Sequence, residues 1–165
     1  MAKWGSADFK QLERLQQKLA KFEELDLDAL CAEISKELAA RLLALVIPST
    51  PVGKYPASSG KKGGTLRRGW TAGQIDTAAK RTLPMKRTAA YASGLNIEQI
   101  GDDYRITITN PVEYASYVEF GHRKVNGGWV DGQLFLTKAE LKLESIAPGI
   151  VQKKLEARLK ELFNV

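Results

Sequence analysis

His122 and Cys31 are the chain's sole histidine and sole cysteine, so metal binding or nucleophilic chemistry has little to draw on. A structural zinc site needs four Cys or His ligands, and this chain cannot supply them. Cys31 sits among Leu27, Leu30 and Ile34 at what reads as a buried helix position, and no base lies nearby in the sequence to make it reactive. A lone cysteine also excludes an internal disulfide and fits a reducing compartment. His122 follows Gly121 at a predicted helix exit, where a cation would favour the dipole's negative end or meet a neighbouring subunit. Glu113 and Glu119 stand six residues apart on a short predicted helix, and Asp102-Asp103 falls in a turn, where Asp serves the backbone. Gly60-Lys61-Lys62-Gly63-Gly64-Thr65 has the composition of a phosphate loop. It lacks the glycine spacing and the preceding strand that such a loop requires. No catalytic, cofactor-binding or metal-binding residue is assigned.

Charge is the remaining signal. The net charge is +6, and its distribution matters more than its sum. Residues 48–90 hold nine basic side chains against Asp76 alone, whereas residues 1–47 and 91–165 each come to −1. Lys, Arg, Gly, Tyr55 and Trp70 interleaved in one segment could bind nucleic acid by counterion release, or dock on an acidic face of another subunit.

The elements that must carry these residues are legible in outline. Leu12, Leu15, Leu19 and Phe22 repeat at helical spacing, and a second stripe follows at Leu27, Leu30, Cys31, Ile34, Leu38, Leu42 and Leu45, ended by Pro48. Residues 48–64 contain three of the six prolines and four glycines, and predict an exposed, mobile loop. Gly69-Trp70 is a strand start. Residues 74–92 are a basic excursion with weak or partner-dependent structure. Residues 96–100 and 104–109 flank Gly101-Asp102-Asp103 as a hairpin. Val112, Ala115, Val118 and Glu119 then share a helix face until Gly121. A second glycine-rich loop precedes a C-terminal helix that Pro148-Gly149 should kink or break. The expected architecture is α+β, with long N-terminal helices and a C-terminal helix packed on a small antiparallel sheet. Residues 1–165 read as a single domain: 1–47 helical, 48–68 an exposed basic loop, 69–110 a small sheet with its basic excursion. A helix at 111–121, a loop at 122–132 and a helix at 133–165 complete it. The opening Met1-Ala2-Lys3-Trp4-Gly5 lacks a signal peptide's apolar core, and no apolar run approaches a membrane span, so a soluble protein made in a cytoplasm is expected.

The peptide from Asn110-Pro111-Val112-Glu113-Tyr114 through Val118-Glu119-Phe120-Gly121-His122-Arg123 closely resembles the core motif of the tail-completion, or head–tail joining, proteins of long-tailed bacteriophages. Further blocks resemble that family in its order. They are Trp4-Gly5 with Asp8-Phe9, Thr50-Pro51-Val52-Gly53, Gly64-Thr65-Leu66-Arg67-Arg68-Gly69-Trp70, Gly128-Trp129-Val130 and Leu134-Phe135-Leu136-Thr137.

The resemblance implies a non-enzymatic building block of the virion. Such subunits act late in tail assembly at the head-proximal end, as a ring, in similar proteins a hexamer, around the DNA channel. The implied partners are further copies of the chain, a tail terminator or tail tube protein, and the head–tail connector or stopper protein, with packaged DNA nearby. Interface roles are expected for Trp4, Lys54, Tyr55, Arg67, Arg68, Trp70, His122, Arg123 and Trp129. Arg67 and Arg68 would pair with a partner's carboxylates and matter little to monomer stability, and Lys61 and Lys62 would face DNA or solvent. Phe120 is expected in the core. Two other readings stay open from the residues: a DNA-binding accessory protein using residues 48–90, and an enzyme whose cleft the sequence does not announce.

Overall fold

The computed structural model describes residues 26–71 and 85–163, with Gln16 and Ala20 as isolated positions besides. The stripe at Leu12 to Phe22, Trp4, and most of the 74–92 excursion lie outside the described residues. Helix α1 (Leu27–Ser49) runs through the middle of the structure. Asp26 starts it: its carboxylate accepts the Ala29 N–H at 2.8 Å, satisfying one of the orphan donors of the first turn. Pro48 lies inside the last turn rather than ending the helix, because the Thr50 N–H still reaches the Val46 carbonyl at 2.9 Å.

After α1 come a short 3-10 turn (Ala57–Ser59), helix α2 (Thr65–Gly69) and helix α3 (Met85–Ser93). Strands β1 (Glu98–Ile100) and β2 (Asp103–Arg105) form the expected hairpin about Gly101-Asp102, in register Glu98 to Arg105. Helix α4 (Ala115–Phe120) ends at Gly121 as the sequence suggested. Strands β3 (Gly121–Arg123) and β4 (Trp129–Asp131) then pair antiparallel, and helix α5 (Phe135–Phe163) closes the chain. The fold is α+β, with two separate two-stranded hairpins instead of one small sheet.

Several sequence expectations change. Residues 65–68 belong to α2, not to an exposed loop, and residues 85–93 form α3 within the supposed excursion. Residues 106–110 leave the ladder, although Ile106 and Ile108 still pack inward. The glycine-rich stretch 122–132 is largely hairpin. α5 runs unbroken past Pro148; a missing N–H on an exposed helix face is tolerated when water can serve the freed carbonyl.

The core gathers where α1 ends. Leu43, Val46 and Ile47 are fully buried and meet Leu66, Trp70, Phe135 and Ala139. The α1 face predicted from Leu27 to Leu45 is therefore rotated: Leu27 is exposed, Cys31, Leu38, Leu42 and Leu45 are half-buried, and the deepest positions are Leu30, Ala39, Ala40, Leu43, Val46 and Ile47. A helix covered by α3 on one side and α5 on another needs no single stripe, so a reading based on one stripe misplaces its faces. Ala39 and Ala40 let α3 approach closely through Ala92.

Trp70 is not a strand residue. It is 5% exposed, sits edge-on to Phe135 with ring centroids 6.2 Å apart, and donates its indole N–H to the Thr50 hydroxyl at 2.8 Å. Phe120, expected in the core, is 65% exposed. These positions predict opposite outcomes in denaturant unfolding. Trp70→Ala should lower stability by about 3–5 kcal/mol, as for a truncated core aromatic. Phe120→Ala should leave it within about 0.5 kcal/mol. A large loss at Phe120 would contradict this packing.

Candidate assembly interface

The segment from α4 through the β3–β4 hairpin is held by one carboxylate. Glu119 is buried. It accepts the Leu136 N–H and the Thr137 N–H, each at 2.9 Å, and the Thr137 hydroxyl at 2.7 Å, so it caps α5 from outside that helix. Burial alone would push this carboxyl up, but the donors of the α5 N-terminus outweigh it and hold it below the usual carboxylate range. The Gln133 N–H reaches the Val118 carbonyl and the Leu134 N–H the Glu119 carbonyl, at 2.9 and 3.1 Å. Leu134 is drawn into a left-handed backbone conformation (φ 50°) to close this junction. Gly121, at φ 89°, and Gly132 leave no room for a side chain in the crossing, since a Cβ would run into the Val130 carbonyl oxygen at the first and the Glu119 carbonyl oxygen at the second.

A second lock lies at the C-terminal end of α1. Arg67 donates to the Thr50 carbonyl at 2.6 Å and to the Pro48 carbonyl at 3.1 Å, while the Thr50 hydroxyl donates to Val46 and receives Trp70. Arg67 thus satisfies orphan carbonyls of its own chain, in place of a partner's carboxylates. Arg68 is half-buried, its guanidinium 3.5 Å from the Gly63 carbonyl oxygen. The Asn110 side chain bridges the two locks, donating to the Leu66 carbonyl at 2.8 Å and accepting from Val112 N–H at 3.2 Å. It lies so close to Gly69 that no larger residue fits there.

These locks leave one helix face outward. With Ala115, Val118 and Glu119 turned in, Tyr114, Tyr117 and Phe120 are turned out, and all three are exposed. The hairpin extends this surface. In its register Arg123 faces Trp129 and His122 faces Val130, so each pair shares one side of the ribbon. Trp129 is 57% exposed, and the His122 ring lies 5.9 Å from that of Tyr117, edge to face. His122 is a strand residue against Tyr117, not a cap on α4; the backbone of Gly121 ends that helix. Tyr55 and Lys62 border a hollow of about 300 Å³ together with Tyr114 and Val118, which brings the proline-rich loop to the same side. Lys54 and Lys61 are exposed on that loop.

Of the residues expected at interfaces, Lys54, Tyr55, His122, Arg123 and Trp129 are thus exposed at this end of the molecule. Trp70 and Arg67 are taken up inside the fold, and Trp4 lies outside the described residues. The sequence reading passed over Tyr114, Tyr117 and Phe120, although the inward face it assigned to Ala115, Val118 and Glu119 already implied an outward aromatic one. Among the described residues, no group of three or more His, Cys, Asp and Glu is placed to hold a metal, and no helix is long and apolar enough to cross a membrane.

The sequence model of the family described as "Bacteriophage HK97-gp10, putative tail-component" matches residues 13–121. The chain belongs to that family of phage tail components. No curated protein and no solved structure matches it.

Two outcomes follow. Glu119 contributes stability that is fully present above the ordinary carboxylate range, about pH 4.3, and is lost as pH falls through its depressed folded value. Glu119→Gln should therefore be less stable than wild type at pH 7, and the two should converge as pH falls below the depressed folded value, in urea unfolding at each pH. In the same assay Arg67→Ala should cost about 1.5–3 kcal/mol, the range for hydrogen bonds to a charged group. Lys61→Ala/Lys62→Ala should cost nearly nothing. Equal and negligible effects would return Arg67 to the surface.

Proposed function

We propose that this phage tail component is the tail-completion subunit, forming a ring at the head-proximal end of the tail and joining it to the head–tail connector. The observation that carries this reading is the outward aromatic face. Tyr114, Tyr117 and Phe120 are exposed on α4 and Trp129 on the adjoining hairpin, and none of them belongs to the chain's core clusters. Aromatic residues with an arginine beside them are the composition of protein–protein interface centres. In this reading the face is covered on assembly by further copies, by the tail tube or terminator protein, or by the connector. The exposed Lys54, Lys61 and Lys62 favour a second, compatible role, in which the loop faces DNA passing through the channel.

Mixing purified tails and heads with added protein tests this. Tyr117→Ala/Phe120→Ala should abolish the formation of infectious particles while leaving the unfolding midpoint of the isolated chain unchanged. Averaged electron micrographs of tails completed with wild type should show sixfold density at the head-proximal end. Full joining activity in the doubly substituted protein would remove the aromatic face from assembly.

A further inference from the structure

We propose that copies of this chain pair head to tail. The aromatic, basic face around α4 and the β3–β4 hairpin of one copy receives the acidic end of the next copy, built from the β1–β2 hairpin and the start of α1. The inference rests on the reading of the chain as a self-assembling tail subunit, and adds which two surfaces meet.

The geometry is that of a rod with unlike ends. Helix α1 has 23 residues, about 35 Å at 1.5 Å per residue. Its C-terminal end holds α2, the α5 N-terminus and, through Glu119, the β3–β4 hairpin. Its N-terminal end holds the other hairpin, since the Tyr104 hydroxyl donates to the Asp28 carboxylate. That bond pushes the Tyr104 phenol up to about 12, so the tie persists through the neutral range. The two hairpins are therefore fixed at opposite ends of one rigid element.

The ends carry opposite charge. Among the described residues, Asp26, Glu98, Asp102 and Asp103 are exposed at the N-terminal end around Arg105, and the end of α5, which Lys154 and Glu33 bring there, adds Lys160 and the Arg158–Glu161 pair. At the other end Arg123 and Lys124 on the hairpin, with Lys61 and Lys62 on the loop, stand exposed against Glu113 and Asp131. Each end also has an apolar centre within its charged border. Leu27 and Ile100 are 54% and 50% exposed at the acidic end, facing outward as the aromatic residues do at the basic end. An apolar centre with a charged rim on both surfaces, opposite in sign, is what a complementary pair requires.

An isologous dimer would oppose like with like. Two copies of the basic face would bring Arg123 and Lys124 against their own counterparts, and two acidic ends would do the same with Asp102 and Asp103. Only unlike ends satisfy both charge borders, and repeated unlike contacts generate a ring where the rotation between copies closes. The exposed aromatic area favours a protein occupant over duplex DNA, whose backbone presents charged phosphates and no apolar surface to match it.

Sedimentation of the full chain, at high protein concentration and low salt, tests the pairing. Wild type should self-associate, and added salt should weaken it. R123E/K124E and D102K/D103K should each lower the association constant by at least about tenfold, because each puts like charges across the contact. An equimolar mixture of the two variants should recover association, since each retains the unaltered end that the other needs. All four positions are exposed, so circular dichroism and the thermal midpoint should match wild type. Recovery in the mixture independently reports that both variants are folded.

A monomeric wild type under these conditions would overturn the proposal. So would D102K/D103K associating as wild type does, or a mixture that fails to recover. Duplex DNA binding lost in R123E/K124E, with self-association intact, would reassign the basic face to nucleic acid. Charge-insensitive association of a protein that still occupies the head-proximal end of the tail would sink this pairing and leave the tail-completion reading standing. The charge-swap pattern in a protein missing from completed tails would do the reverse.

Discussion

A single buried carboxylate holds the functional end of this protein together. Glu119 closes α4, yet its oxygens cap α5, which begins beyond the whole β3–β4 hairpin. Ionised carboxylates are buried only where donors replace the water they lose, and the first turn of a helix is such a place because its N–H groups have no partners of their own. The bargain serves both sides: α5 gains a cap and Glu119 gains its donors. The geometric result is that the intervening hairpin becomes a closed loop whose two feet are fixed. A two-stranded ribbon of three residues a side has no independent stability in water. Here it holds its register because both ends are tied to helices, and because Gly121 allows the strands to cross where a Cβ could not pass.

The C-terminal end of α1 shows the same economy. Its last carbonyls are met by Arg67 and by the Thr50 hydroxyl, and that hydroxyl also receives the Trp70 indole. Thr50, Arg67, Gly69, Trp70, Asn110, Glu119 and Gly121 fall in separate blocks of the sequence, and the fold brings them to one junction. They also lie within the blocks through which the sequence resembles the tail-completion proteins. Those blocks thus supply the junction, and they also carry the exposed Tyr114, Tyr117, Phe120 and Arg123.

This division explains how far the sequence could be read. Several element types followed from periodicity and punctuation, while the helices at 65–69 and 85–93 and the hairpin at 121–131 did not. The β1–β2 turn at Gly101-Asp102, the stop at Gly121 and the α+β class were all visible because each depends on neighbours in the chain. Trp70 and Arg67 were both expected at an interface; Trp70 is buried and Arg67 is half-buried on the Pro48 and Thr50 carbonyls, through contacts distant in sequence that no local pattern announces. Glu119 was legible as a helix residue but not as a cap, since capping patterns are sought within about three residues and its donors are 17 and 18 residues away. Phe120 was placed in the core on aromatic character alone. Its neighbours Val118 and Glu119 had already taken the inward face of a helix too short to bury both sides.

What the architecture offers the proposed pairing is stiffness between its two ends. Each hairpin is small and would wander if attached by flexible chain. Instead, one is tied to the first turn of α1 by Tyr104 and Asp28, and the other to its last turns through Glu119, α5 and the core around Trp70. α5 runs antiparallel to α1, and Lys154 bridges Glu33 and Glu37 across the two helices, which braces the rod along its length. The separation and relative orientation of the two ends are then properties of packed helices, not of loops. A subunit that must repeat around an axis needs this, because a small angular error at each contact accumulates with every copy and prevents closure. In the proposed pairing the exposed surfaces can therefore be polar, aromatic and adaptable, while the angle between them is set by packed helices.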